Sequence, residues 1–162
     1  MNLKALQLTA QAFAPYGTVL QAPTGNGRLI NGGTSERFDL VDDLQLCASG
    51  GRAQLALFRA QTRSFPHAVT AMERHALGSQ SFVPMGAALR FVVVVAHADD
   101  APGRKALAAF VTDGRQGVTL ARGTWHHALL AVDAGDFIVI ESAAPVLDCE
   151  VCELPSSVSV TW

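Results

Sequence analysis

Five histidines stand in the chain, His67, His75, His97, His126 and His127, and the neighbours of two of them suggest chemistry. In the segment Met72-Glu73-Arg74-His75-Ala76-Leu77-Gly78-Ser79-Gln80, a strand over residues 71–75 would set Glu73 and His75 on one face and Arg74 on the other. Gly78 and Ser79 then turn the chain, so that Gln80 returns toward the first face on the next strand. Much later, Gly123-Thr124-Trp125-His126 places an imidazole just after a glycine turn. A sheet closing on itself would gather two imidazoles, a carboxylate and an amide. Such a set can move a proton, with His126 or His75 titrating near neutrality. It can equally hold a divalent ion such as nickel, zinc or manganese on His75, His126, Glu73 and Gln80. His127 alternates away from His126, Trp125 is expected to pack the barrel mouth, and His67 and His97 read as loop residues.

The elements that must position these groups read as β. Thr9 to Ala14 predicts one short helix, capped by Thr9 and stopped by Pro15 and Gly17. Strands are expected over Arg52–Ala60, the valine run at 92–95, Ala106–Thr112, Gly117–Leu120, Asp136–Ile140 and Asp148–Leu154, with glycine-rich turns between them. Helical spacing is weak everywhere else except over Arg104 to Phe110. Many short strands without βα alternation predict a mainly β, single-domain antiparallel barrel or jelly roll with one or two short helices, spanning residues 1–162. The Gly- and Asn-rich loop Gln21 to Gly33 is the expected flexible segment.

Composition excludes several classes of function. The 162 residues are 49% hydrophobic and only 16% charged, with a formal net charge of −2, which suits a packed domain and not a disordered chain. Twelve Lys+Arg against fourteen Asp+Glu, without runs, leave no basic stripe for nucleic acid. The longest apolar run, Phe91 to Ala96, is far short of the ~20 residues of a spanning helix, so no membrane partner is expected. No signal peptide is visible, and Cys47, Cys149 and Cys152 make an odd number that suits reduced thiols in the cytoplasm. Cys149-x-x-Cys152 is expected to pack and not to bind zinc.

Glu73-x-His75-x4-Gln80 and Gly123-x-x-His126 occupy the places of the two cupin motifs, with Glu for the first His and Gln for the acid. The strings Glu73-Arg74-His75, Gly78-Ser79-Gln80-x-Phe82-x-Pro84 and Trp125-His126-His127-x-Leu129 resemble more narrowly those of the ureidoglycolate lyase family. Similarity continues through Phe13-x-x-Tyr16-Gly17, Asn31-x-Gly33-x-x-x-Arg37 and Phe110-x-Thr112-x-Gly114-x-x-Gly117-Val118. Two prolines of the family are replaced, by Ala76 and Ala128, and Asp39 stands near a position where many members carry histidine.

The resemblance implies a cupin-like lyase that cleaves (S)-ureidoglycolate to glyoxylate and urea in allantoin breakdown. Its elimination needs a base for the carbinol hydroxyl, an acid for the departing nitrogen and a cradle for the carboxylate. Glu73, His75 and His126 are the catalytic candidates, with Gln80 for the ureido or hydroxyl group. Arg74, Arg37 and Asn31 are candidates for substrate binding, a structural ion pair being the other role open to Arg74. Metal participation and purely acid–base elimination both stay open. So do a cupin enzyme for another small ureido or hydroxy acid, and a non-catalytic binder of a small carboxylate. A homodimer paired through an edge strand is expected.

Overall fold

The computed structural model describes residues 1–86, 88–99, 102 and 106–162. Among them the strands are β1 (Asn2–Lys4), β2 (Leu6–Gln7), β3 (Gly17–Leu20), β4 (Arg28–Ile30), β5 (Ser35–Arg37), β6 (Arg52–Ala60), β7 (His67–Arg74), β8 (Gln80–Pro84), β9 (Phe91–Ala96), β10 (Ala108–Val111), β11 (Gly117–Leu120), β12 (Trp125–His126), β13 (Leu130–Ala131), β14 (Gly135–Ala143) and β15 (Glu150–Thr161). A single helical turn, α1 (Ala10–Phe13), follows its cap Thr9, whose Oγ1 accepts from Ala12 N at 3.2 Å. Phe13 is fully buried, which contributes roughly 2–3 kcal/mol and docks this marginal helix.

Two sheets carry the fold. The larger runs β1-β15-β7-β12-β9-β10-β2 with β13 added beside β9, and the smaller runs β3-β11-β8-β14-β6. The valine run explains their arrangement, because every residue of β9 is buried. Phe91, Val93 and Val95 pack between the sheets with Phe82, Val118, Leu120, Phe137 and Val139. Val92, Val94 and Ala96 turn the other way, onto Val69, Met72, Trp125, Val158 and Val160. A strand covered on both faces needs an unbroken apolar run, which is what these residues supply.

The expected mainly β, barrel-like architecture of the cupin type is present, with differences in detail. The pairs β1–β15 and β2–β10 are parallel, so the larger sheet is mixed and not wholly antiparallel. His67 opens β7 instead of lying in a loop. The region with helical spacing is strand over Ala108–Val111, its tertiary partner β9 overriding a weak local preference; residues 103–105 lie outside the described set. Within the Gly- and Asn-rich loop, Arg28–Ile30 pairs with β5 as a small hairpin. No helix among the described residues is long and apolar enough to cross a membrane.

Gly17 shows how tightly the smaller sheet is built. Its φ is +153°, and a Cβ there would lie 1.9 Å from the Thr119 carbonyl oxygen. Gly17→Ala is expected to destabilise the fold by about 1–3 kcal/mol or more, read as a lower Tm in a thermal melt; an unchanged Tm would show that β3 and β11 are not held this closely.

Candidate active site

The register of β7, β12 and β9 builds the centre of the site. His126 pairs with Glu73 on one side and with Val95 on the other. Directly opposed residues in antiparallel strands share a face, and Val95 faces the space between the sheets. Glu73 and His126 therefore point inward together. His75 lies just beyond β7, its ring centroid 5.3 Å from that of His126. One ligand atom from each of Glu73, His75 and His126 lies within 4.8 Å of the others. The periodicity of the sequence thus located three groups that do meet.

Hydrogen bonds define which nitrogens are free. His126 Nδ1 donates to the Thr124 carbonyl at 3.0 Å, and His75 Nδ1 donates to the Asp148 carbonyl. A carbonyl accepts only, so each Nδ1 carries hydrogen and each Nε2 of the neutral ring presents a lone pair. Both Nε2 atoms are buried without a hydrogen-bond partner. His126 Nε2 stands 3.6 Å from Glu73 Oε1, too long for a hydrogen bond. Burial, only partly offset by the Thr124 bond, pushes His126 down to about 4, so it is neutral at pH 7. That corrects the expectation that His126 titrates near neutrality: the 2% exposure of its ring was not legible from its neighbours. Two orphaned imidazole nitrogens beside a carboxylate fit a divalent metal, and a backbone carbonyl on the far nitrogen is the usual way of orienting such a ligand.

Asp148 organises the turn that delivers His75. Its carboxylate accepts from Ala76 N at 2.7 Å and Leu77 N at 2.8 Å, while its carbonyl holds the imidazole. A proline at position 76, as the family pattern has it, could not make the first of these bonds. Gly78 permits the turn to close, since a Cβ there would meet Ser142 Cβ at 2.8 Å. Ser79 and Ser142 each donate a hydroxyl hydrogen to the segment that covers them, to Leu44 O at 2.6 Å and Leu46 O at 2.7 Å.

Gln80 faces the same interior from the other sheet. It pairs with Leu120, a residue of the inter-sheet core. Its Nε2 donates to Glu141 Oε2 at 2.9 Å, and its buried Oε1 has no partner. Glu141 and His75 both line a cavity of about 220 Å³, closed by Gly78, Ser79, Asp148, Cys149 and the 142–147 segment. That volume suits a ligand smaller than a drug-sized one.

The other candidates are placed differently. Arg74 lies on the opposite face, 4.5 Å over the Trp125 ring, bonded to Glu150 at 2.7 Å and to Ala98 O at 3.3 Å; of its two expected roles, the ion pair is the one formed. Trp125 packs in the core cluster beneath it. Arg37, on the β4–β5 hairpin, is exposed and bound to Asp39 at 2.6 Å. Asn31 is exposed in the turn between those two strands, and neither residue lines the cavity. His127 rests against His67, ring centroids 5.4 Å apart. Asp148, Glu141 and Arg122, whose Nε donates to Ala76 O at 3.0 Å, had no sequence signal, being remote in the chain from the motifs they touch.

A family model described as ureidoglycolate lyase matches residues 1–161. The chain belongs to the ureidoglycolate lyase family. Among curated relatives of the family, the ureidoglycolate lyase of Burkholderia cepacia is 44% identical over 154 residues, covering 94% of this chain and 85% of that protein. Ureidoglycolate lyase 1 of Rhizobium meliloti (strain 1021) is 45% identical over 139 residues, 85% of this chain and 81% of its own. The ureidoglycolate lyase of Pseudomonas syringae pv. syringae (strain B728a) is 38% identical over 144 residues, 88% and 84% respectively.

Asp148→Ala removes two of the bonds that hold the His75 turn. It is expected to lower turnover of the family's substrate at least tenfold with a modest loss of Tm; wild-type turnover would show that His75 needs no such support.

Proposed function

We propose that this protein is a carbon–nitrogen lyase that cleaves (S)-ureidoglycolate to glyoxylate and urea, acting as a single domain over residues 1–162 in the cytoplasm and serving allantoin breakdown. The observation that carries the proposal is the Glu73, His75 and His126 triad, with two partnerless imidazole nitrogens, beside a small cavity in a chain of the ureidoglycolate lyase family. Three free thiols agree with a reducing compartment.

In this mechanism Glu73 accepts the proton of the carbinol hydroxyl as the C–N bond breaks. His75, in its imidazolium form, gives a proton to the departing urea nitrogen. Proton return from Glu73 to His75 resets the pair, and no net proton is consumed. His126, neutral and buried, accepts a hydrogen bond and keeps the substrate hydroxyl directed at Glu73. Arg122, anchored through Nε beside His75, offers its remaining guanidinium N–H groups to the carboxylate. A nickel, zinc or manganese ion would be held by Glu73, His75 and His126, and when bound it would polarise the hydroxyl and ease its deprotonation. The triad supplies three donors without Gln80, whose oxygen is left for substrate.

We also infer a homodimer formed through β6. This nine-residue strand ends the smaller sheet, and its Leu55 and Leu57 are 68% and 49% exposed. An uncovered apolar edge of that length favours pairing with a second copy.

Coupled detection of urea and glyoxylate from (S)-ureidoglycolate tests the activity. Glu73→Gln and His126→Ala are each expected to lower kcat by roughly 10²–10⁴ with folding retained by circular dichroism, and full activity in both would sink the assignment. Metal analysis with activity after chelation decides the ion's part, because a metal-free sample at full rate needs none. Light scattering should return twice the chain mass, and Leu57→Arg should halve it; a monomeric wild type would overturn the dimer.

A further inference from the structure

The Gln80–Glu141 pair is unusual for its position. On β14, the alternate residues Phe137 and Val139 are completely buried in the inter-sheet core, and Glu141 continues that row. An acidic side chain ending an apolar row needs a polar partner, and the partner present is the amide of Gln80 at 2.9 Å. A carboxylate accepts and does not donate, so it orders the two ends of that amide: the NH₂ must face Glu141, and the carbonyl oxygen must face away. That oxygen belongs to a residue only 6% exposed and has no partner. A buried acceptor left in this state is costly until an N–H or O–H reaches it.

We propose that Glu141 is a positioning residue that locks the Gln80 amide with its oxygen presented to the terminal NH₂ of a ureido group, making this pair the part of the site that selects ureido acids over their simple amide analogues. The inference rests on the lyase reading, in which the ureido nitrogen group is what departs. Three features support it together. Glu141 lines the same cavity as His75. Gln80 Oε1 is an acceptor where a ureido group brings donors. Without Glu141 nothing would prevent the amide from turning over, which would aim NH₂ at NH₂.

Calorimetry with two unreactive ligands tests the assignment. Ureidoacetate keeps the terminal NH₂ and lacks the hydroxyl, and N-acetylglycine carries methyl in place of that NH₂. The wild type is expected to bind ureidoacetate about tenfold more tightly, the worth of one hydrogen bond to a buried acceptor. In Glu141→Ala the ratio should fall to about twofold through weaker ureidoacetate binding alone, N-acetylglycine being unaffected. Gln80→Met should show the same loss, and the double variant no further one, as expected for residues acting through one another. A wild type without preference, a Glu141→Ala or Gln80→Met variant that keeps it, or equal weakening of both ligands would each overturn the proposal. Should Glu141→Ala not fold, Gln80→Met decides alone. Urea release measured on the same samples separates the two readings. Normal wild-type turnover with an unchanged ratio in Glu141→Ala removes only this inference; a collapsing ratio with no wild-type urea release removes only the lyase reading.

Discussion

The pairing of His126 between Glu73 and Val95 is the constraint on which the rest of the site depends. One register decides three things. It turns an imidazole and a carboxylate inward, it leaves Trp125 and Arg74 outward to form their own stack, and it places the inward pair against the fully buried valine strand. A slip of one residue would exchange the two faces, burying an arginine in the inter-sheet core and exposing the reacting groups. The apolar packing of β9 on both faces excludes that slip, so the stability of the core and the geometry of the site rest on one arrangement.

Burial then sets the chemistry of the polar groups. In water the His126 ring would be charged for part of the physiological range; in the interior it is neutral, because desolvation outweighs the favourable bond to Thr124 O. Neutrality at His126 and the fixed Nδ1 hydrogens leave both rings of the pair as directed acceptors. Their orientation comes from backbone carbonyls, which cannot change protonation state or rotate away. The donor set is prepared before any ligand arrives, and such preparation is what makes electrostatic assistance effective in a water-poor site.

Much of this was legible from local patterns. Strands β6 and β11 have the bounds that their residues suggested, and alternation along residues 71–75 separated Glu73 from Arg74 correctly. Glycine turns before Gln80 and His126 marked where each strand would re-enter the interior. What could not be read was tertiary. Asp148 reaches Ala76 across 72 positions of sequence and Glu141 reaches Gln80 across 61, contacts that exist only once β14 and β15 have found their registers. The short parallel pairs at the ends of the larger sheet have no periodic signature, since β2 is two residues long. The depressed basicity of His126 follows from enclosure by both sheets, a property of no segment taken alone.

The place of β15 in the larger sheet has a consequence for the order in which the protein is made. This twelve-residue strand lies between β1, which is synthesised first, and β7, which carries Glu73. Asp148, just before it, holds the turn bearing His75. While the chain emerges from a ribosome, β1 and β7 have open edges and the His75 turn has no anchor. Only the last segment to be synthesised joins them. Contacts of such long sequence separation form slowly, and open strand edges invite association with other chains. A chain shortened before residue 148 would lose the clamp on His75 as well as the strand that unites the two ends, so the reacting groups come together only in a finished molecule.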